Sequence, residues 1–193
     1  WVAALGMVLP LVHRADWREV FIIAQPGRHA VRLIFIVAEV ACFYLAVRHL
    51  PLADVMAVYQ ATPLIVTVLA IPLLGELVGW RRGLAVGVGF IGVLLVLQPQ
   101  DGVFTAPALI ALAGSVTYAL SMIATRQLRA ASPVSLIIYH TLAVGLAGLL
   151  TLPWGWPAIG WTDTAYLALI GVVATLAHMC MNQALRLAAA ARV

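Results

Sequence analysis

One acidic side chain lies well inside a long apolar run of the sequence. Glu39 follows the start of the run 32–50 by seven residues. A charged carboxyl within the hydrocarbon of a bilayer is costly, and such residues usually mark ion or substrate pathways. Glu39 is therefore a candidate for binding a proton or a cationic substrate. The alternative is a carboxyl that serves helix packing, either protonated or paired with Arg32, two turns earlier on the same face.

A second set of polar residues follows one face of the last apolar run, 164–186. Its members are spaced three, four and four residues apart, as on one side of a helix: Thr175, His178, Asn182 and Arg186. We interpret this stripe as one wall of a pathway, in which Asn182 hydrogen-bonds a substrate and His178 titrates near neutral pH. Hydrogen bonding between neighbouring helices explains the same pattern, because such contacts are common in membranes.

Hydroxyl and aromatic side chains mark two more runs. Tyrosine rings can stack on an aromatic or cationic ligand, and a proline inside a helix frees a backbone carbonyl. Small hydroxyls also hold helices together without any ligand. The candidates for substrate binding or coupling in these runs are Tyr59, Gln60, Thr62, Ser115 and Tyr118, with Pro63 as the helix-bending residue.

The elements that must position these residues are membrane helices. Of the 193 residues, 64% are hydrophobic and only 9% are charged, which excludes a soluble domain and a nucleic-acid-binding module. Long apolar runs in lipid must be helical, because only a helix satisfies its own backbone there. We predict an all-α integral membrane protein, a multi-span helical bundle, with a partial helix at 1–12 and spans at 32–50, 54–75, 80–98, 104–125, 133–153 and 164–186.

The arginines indicate the orientation of these spans. If successive loops alternate between the two sides, ten of the eleven arginines lie on one side and only Arg48 lies on the other. Basic residues accumulate on the cytoplasmic side of bacterial membrane proteins. The pattern predicts a multi-pass protein of the cell inner (plasma) membrane, with the lipid bilayer as a partner.

The sequence also contains a weak internal repeat. A shift of 138 residues aligns 42–55 with 180–193 at five identical positions. The two segments belong to helices of opposite predicted orientation, which is typical of the inverted repeats of secondary transporters. We predict two five-helix repeats, with the first at 1–100 and the second at 101–193. Because the run 1–12 is too short to cross a bilayer, we expect the first repeat to be truncated at its N-terminal end. The second repeat contains only three predicted spans, so we expect it to be truncated at its C-terminal end.

Several short motifs resemble a known family. They are Leu50-Pro51-Leu52-Ala53-Asp54, Ala61-Thr62-Pro63-Leu64, Leu73-Leu74-Gly75-Glu76, Gly83, Gly92-Val93 and, in the second repeat, Ala184-Leu185-Arg186. The chain resembles the ten-helix EamA-like branch of the drug/metabolite transporter superfamily. The resemblance implies that the chain covers helices 2 to 8 of ten and that helices 1, 9 and 10 lie outside it. It also implies structural signature roles for Pro63, Glu76, Gly83 and Arg186.

These observations favour a secondary transporter that moves a small metabolite or drug-like solute by alternating access, with proton coupling left open. A structural membrane subunit and a haem-binding electron carrier using His140 and His178 are the alternatives. The sequence contains no G-x-S-x-G, H-E-x-x-H or paired-cysteine motif, so we expect no enzyme, no cofactor and no metal site. The expected partner is a small-molecule substrate, and nothing in the sequence indicates a homodimer.

Overall fold

The computed structural model describes residues 25–75, 79–97, 105–128, 131–151 and 160–187, and these ranges are almost entirely helical. Their helices are α1 (Pro26–Val47), α2 (Leu52–Tyr59), α3 (Thr62–Leu74), α4 (Trp80–Leu97), α5 (Ala106–Gln127), α6 (Pro133–Leu150) and α7 (Trp161–Leu187). The all-α prediction is confirmed. The predicted partial helix at 1–12 lies outside the described residues.

Five segments of the described residues are long and apolar enough to cross a membrane. They are Pro26–Val47, Leu52–Leu74, Ala106–Gln127, Pro133–Leu150 and Trp161–Met181. The predicted span 80–98 is helical over Trp80–Leu97, and Gly83–Gly92 is an apolar stretch within that helix.

Two helix ends show why the observed boundaries differ from the predicted ones. The first span begins at Pro26 and not at residue 32, since proline at the start of a helix gives up no hydrogen bond. The third helix ends at Gly75, whose φ of 66° is left-handed and whose N–H bonds the carbonyl of Ile71. Glycine takes this conformation without strain, which makes it a common end of helices.

The predicted span 54–75 is interrupted in its first half. Helix α2 ends at Tyr59 and α3 begins at Thr62, with the N–H of Ala61 bonding Val58 in a tighter turn. The reason is Pro63, which has no N–H to donate to the carbonyl of Tyr59 four residues earlier. The chain stays close to helical through the interruption, so Leu52–Leu74 still serves as one membrane span.

The described residues form two compact units. The central unit comprises 34–127, in which α2 and α3 pack against α5, and α4 packs against α2 and α3. Its core contains Ala46, Val55, Val58 and Ala111. A Cβ at Gly89 of α4 would lie 2.9 Å from a methyl group of Leu64, so this glycine permits the close approach of α3 and α4.

The split unit comprises residues 25–33 together with the described residues from 128 onward. Helices α6 and α7 pack together here, with Ile137 and Ile138 against Val134 and Met179. The two units follow from packing contacts and not from sequence similarity. The repeat boundaries at 1–100 and 101–193 therefore remain a prediction.

Candidate functional site

The central unit brings three of the predicted site residues together. The hydroxyl of Tyr59 donates to the backbone carbonyl of Glu39 at 3.4 Å. The rings of Tyr59 and Tyr118 have centroids 6.5 Å apart and are tilted by 36°. Phe43 meets Tyr59 edge to face at 5.5 Å. We call Glu39, Tyr59 and Tyr118, together with Thr62 and Ser115, the central cluster.

The carboxyl of Glu39 is half-buried among these groups. It lies close enough to interact electrostatically with the Tyr59 and Tyr118 hydroxyls and with the thiol of Cys42. The cluster therefore combines one acid with two phenol rings, a combination that suits a cation or a proton together with an aromatic surface.

A glycine that the sequence analysis missed permits this arrangement. A Cβ on Gly114 of α5 would overlap the Tyr59 hydroxyl and would lie 3.1 Å from the Cβ of Cys42. Helix α5 thus comes close to α1 and to the end of α2 at this residue. The only signal in the sequence was the position of this glycine directly before the predicted Ser115.

Thr62 and Ser115 form a buried hydrogen bond between two helices. Their hydroxyl oxygens are 3.0 Å apart, and the two side chains are almost fully buried. The bond joins the first residue of α3, just after the interruption, to the middle of α5. It fixes the broken helix against α5, which is the packing role that the sequence analysis gave as the alternative for hydroxyls.

The other predicted residues from this part of the chain are not in the central cluster. Gln60 lies in the interruption and is exposed, and its backbone N–H bonds the carbonyls of Met56 and Ala57. Pro63 is exposed as well, and its carbonyl accepts a hydrogen bond from the hydroxyl of Thr67 at 2.9 Å. In the described residues, a Cβ at Gly83 would meet nothing within 4 Å. Glu76 lies outside the described residues.

The polar stripe of α7 belongs to the split unit. The Thr175 hydroxyl is buried and donates to the carbonyl of Gly171 at 2.7 Å. The Nδ1 atom of His178 lies 2.9 Å from the carbonyl oxygen of Ala174. Asn182 and Arg186 lie on the same helix, but their side chains are outside the described part of the structure.

His178 meets His140 of α6, although not in the manner that haem requires. Their ring centroids are 4.7 Å apart and the ring planes differ by 55°. A porphyrin ligated on both faces must fit between its two axial imidazoles, and rings this close leave no space for one. The geometry therefore does not support the haem alternative. Within the described ranges, no group of three or more histidine, cysteine or acidic side chains is placed to hold a metal ion.

Two buried basic residues were not among the predicted site residues. His29 and Arg32 of α1 are only 3% and 2% exposed. Arg32 donates to the backbone carbonyl of Leu136 at 3.3 Å, and His29 contacts the ring of Tyr139. The sequence prediction started the span at residue 32, which left His29 in a loop. The i, i+3 spacing of the two residues was the available signal.

Known proteins with similar sequences are bacterial transporters. The chain is 29% identical over 140 residues to a riboflavin transporter of Brucella anthropi, covering 72% of this chain and 49% of that protein. It is 27% identical over 199 residues to a riboflavin transporter of Vibrio cholerae, covering the whole chain and 66% of that protein. A third relative is the pseudopaline exporter CntI of Pseudomonas aeruginosa, 27% identical over 146 residues, covering 74% of this chain and 51% of that protein.

The chain is similar to small-metabolite transporters. It spans about half to two thirds of the length of these curated relatives. No protein-family model and no solved structure matches it. Together with the five apolar helices, the relatives identify a multi-pass protein of the bacterial inner membrane. They are named as transporters and not as enzymes.

Proposed function

We propose that this chain is the central part of a secondary transporter that moves a small metabolite across the cytoplasmic membrane. The observation that carries the proposal is the central cluster. It contains an interrupted membrane helix, an intramembrane acid and two tyrosine rings within one packed unit. Transporter sites are typically built where a helix is broken, near the middle of the bilayer.

The family and the mechanism are part of this proposal. The motif run around Thr62-Pro63 and Gly75-Glu76 supports an EamA-like drug/metabolite transporter with two inverted five-helix repeats. On this interpretation, residues 1–100 belong to the first repeat and 101–193 to the second. Alternating access would then proceed by rocking of the two repeats around the substrate.

Each residue of the central cluster has a distinct proposed role. The rings of Tyr59 and Tyr118 contact a planar or cationic part of the substrate. The Glu39 carboxyl binds a proton or the positive charge of the substrate. The Thr62–Ser115 hydrogen bond holds the broken helix in place. Thr175, His178 and Asn182 on α7 are proposed to line the pathway, with His178 as a second titrating group.

The relatives suggest which solutes to test first. Riboflavin is the solute named for two of them, and a further relative, 24% identical over 127 residues, is the S-adenosylmethionine uptake transporter of Rickettsia prowazekii. Both solutes carry a planar ring system, which suits an aromatic pair.

The test is transport by the complete protein in proteoliposomes, with labelled riboflavin and S-adenosylmethionine as probes. We expect Tyr59→Leu to lower the initial rate by about fivefold or more, since loss of one stacking contact removes about 1 kcal/mol or more. Tyr44→Leu is the matched control, because Tyr44 is 63% exposed on α1. Equal rates for the two variants would refute a substrate role for Tyr59. Unchanged rates for Tyr59→Leu, Glu39→Gln and His178→Gln would together favour the structural-subunit alternative.

Proton coupling is tested on the same vesicles. We expect Glu39→Gln to remove the response of transport to an imposed pH gradient, because glutamine has no proton to exchange. Asp54→Asn is the control, since Asp54 is an exposed acid in the first turn of α2. A Glu39→Gln protein that still responds to the gradient would exclude Glu39 as the coupling group.

A further inference from the structure

The split unit brings together basic and aromatic side chains from three helices, and of these the proposed function gives a role only to His178. We call them the basic cluster. It consists of His29 and Arg32 on α1, Tyr139 and His140 on α6, and His178 on α7. His29 and Arg32 are each more than nine-tenths buried. Such residues are expensive to place in an apolar interior, so their presence requires a physical reason.

The contacts within the cluster join all three helices. Arg32 reaches the Leu136 carbonyl on α6, and His29 packs edge to face on Tyr139 with ring centroids 5.8 Å apart. His140, the residue after Tyr139 on α6, meets His178 of α7. The Nδ1 atom of His178 is engaged by the Ala174 carbonyl, so this ring nitrogen is satisfied within α7.

His29 is the residue that packing alone does not explain. Both of its ring nitrogens are buried and have no hydrogen-bond partner. A buried imidazole that serves only to hold helices together normally has at least one such bond. The two unsatisfied nitrogens, next to the guanidinium of Arg32, leave hydrogen-bonding capacity for a ligand.

The charge of the cluster defines the chemistry of that group. The Arg32 guanidinium interacts electrostatically with both His29 and His140. Among the described residues of the split unit, the sole acidic side chain is Asp163, which is exposed in the first turn of α7. The described side chains of the basic cluster present N–H donors and the positive charge of Arg32. A planar guanidinium flanked by imidazoles matches the oxygens of a carboxylate or phosphate.

We propose that the basic cluster binds an oxyanion, the carboxylate or phosphate group of a ligand. Arg32 supplies the charge and N–H donors, and a ring N–H of His29 supplies a hydrogen bond to the oxygens. That this oxyanion belongs to the transported solute rests on the proposed function, whereas binding itself does not. The phosphate of a lipid headgroup presents the same oxygens and is the other source of such a group.

The test is binding to the complete protein in detergent, without any transport measurement. The probes are inorganic phosphate and acetate, added at constant ionic strength, and the readout is the concentration-dependent rise of the thermal unfolding temperature. We expect saturable stabilisation by at least one probe. We expect Arg32→Gln and His29→Gln to weaken binding by about tenfold or more, because each removes a hydrogen bond to a charged group.

Two exposed residues on or next to α1 provide matched controls. Arg28→Gln removes a guanidinium that bonds Gln25 at the surface, and His49→Gln removes an exposed imidazole. Both should bind the probes as the wild type does. If Arg32→Gln does not fold, His29→Gln still tests the proposal, because it changes no hydrogen-bonded group. Absence of saturable stabilisation in the wild type, or wild-type binding by His29→Gln, would overturn the proposal.

Analysis of co-purified phospholipid distinguishes the two possible sources of the oxyanion. Phospholipid that co-purifies with the wild type, is lost from His29→Gln and is not displaced by acetate assigns the site to a headgroup. Competition by acetate or phosphate assigns it to a soluble solute. The outcome is separable from the transport assay. Binding without transport contradicts only the proposed function, and transport without binding contradicts only this inference.

Discussion

The central cluster and the basic cluster differ in how their buried polar groups are hydrogen-bonded. In the central unit, the Thr62 and Ser115 hydroxyls bond each other and the Tyr59 hydroxyl bonds a backbone carbonyl. In the split unit, His29 is more deeply buried than Glu39 but neither of its nitrogens is bonded. The central cluster contains an acid, and the basic cluster contains an arginine and three imidazole rings with no acid among them.

This contrast shows that burial alone does not separate packing from binding. A polar group whose hydrogen bonds are complete within the bundle is explained by helix association, and ligand binding need not be invoked. A buried group with unused hydrogen-bonding capacity is destabilising and persists where function requires it. The hydroxyl pair of the central cluster is of the first kind, and His29 is of the second.

The largest expected effect tests the tight contact of the central cluster. We expect Gly114→Val to lower the free energy of unfolding by about 3 kcal/mol, because the added side chain overlaps Tyr59 and approaches Cys42. The measurement is unfolding of the purified complete protein in mixed detergent micelles. Ala113→Val, on the neighbouring exposed residue, should leave stability nearly unchanged. Equal stability of the two variants would mean that α5 does not approach Tyr59 this closely.

The second prediction concerns the unsatisfied histidine. We expect His29→Phe to raise the free energy of unfolding by about 2 kcal/mol, since phenylalanine keeps the edge contact with Tyr139 and removes two buried nitrogens without partners. Thermal unfolding without added oxyanion measures the effect, and the exposed His49→Phe is the control. A marked loss of stability in His29→Phe would show that the imidazole is bonded within the protein, and the contrast between the clusters would disappear.

The smallest expected effect concerns the hydrogen bond between Thr62 and Ser115. A double-mutant cycle on Thr62→Val and Ser115→Ala should give a coupling energy of about 1 kcal/mol, the usual net value of a buried hydrogen bond. Thr67→Val combined with Ser115→Ala provides the comparison. Thr67 bonds a carbonyl of its own helix, so this pair should be additive. Coupling near zero in the first cycle would assign the two hydroxyls to separate partners.

Much of the membrane architecture could be predicted because it depends on local properties. The five spans follow from the lengths of the apolar runs and from the residues that separate them, which are local features of the sequence. The helix interruption near residues 60–63 follows from Pro63, whose effect is also local. The start of α1 was misplaced because Pro26, Arg28, His29 and Arg32 look like a loop when read one by one. The burial of His29 and Arg32 depends on neighbours that the sequence pattern does not contain.

The residue types by themselves thus determined that the chain is a helical membrane protein with Glu39, Tyr59 and Tyr118 as candidate site residues. Only the tertiary structure decided which of the polar residues meet. It paired Thr62 with Ser115 across 53 residues of sequence and placed Arg32 on the carbonyl of Leu136, 104 residues away. Contacts at such separations arise when apolar helices pack and bring their few polar groups together. Hydrogen-bond saturation is therefore a property of the packed bundle and not of any single helix.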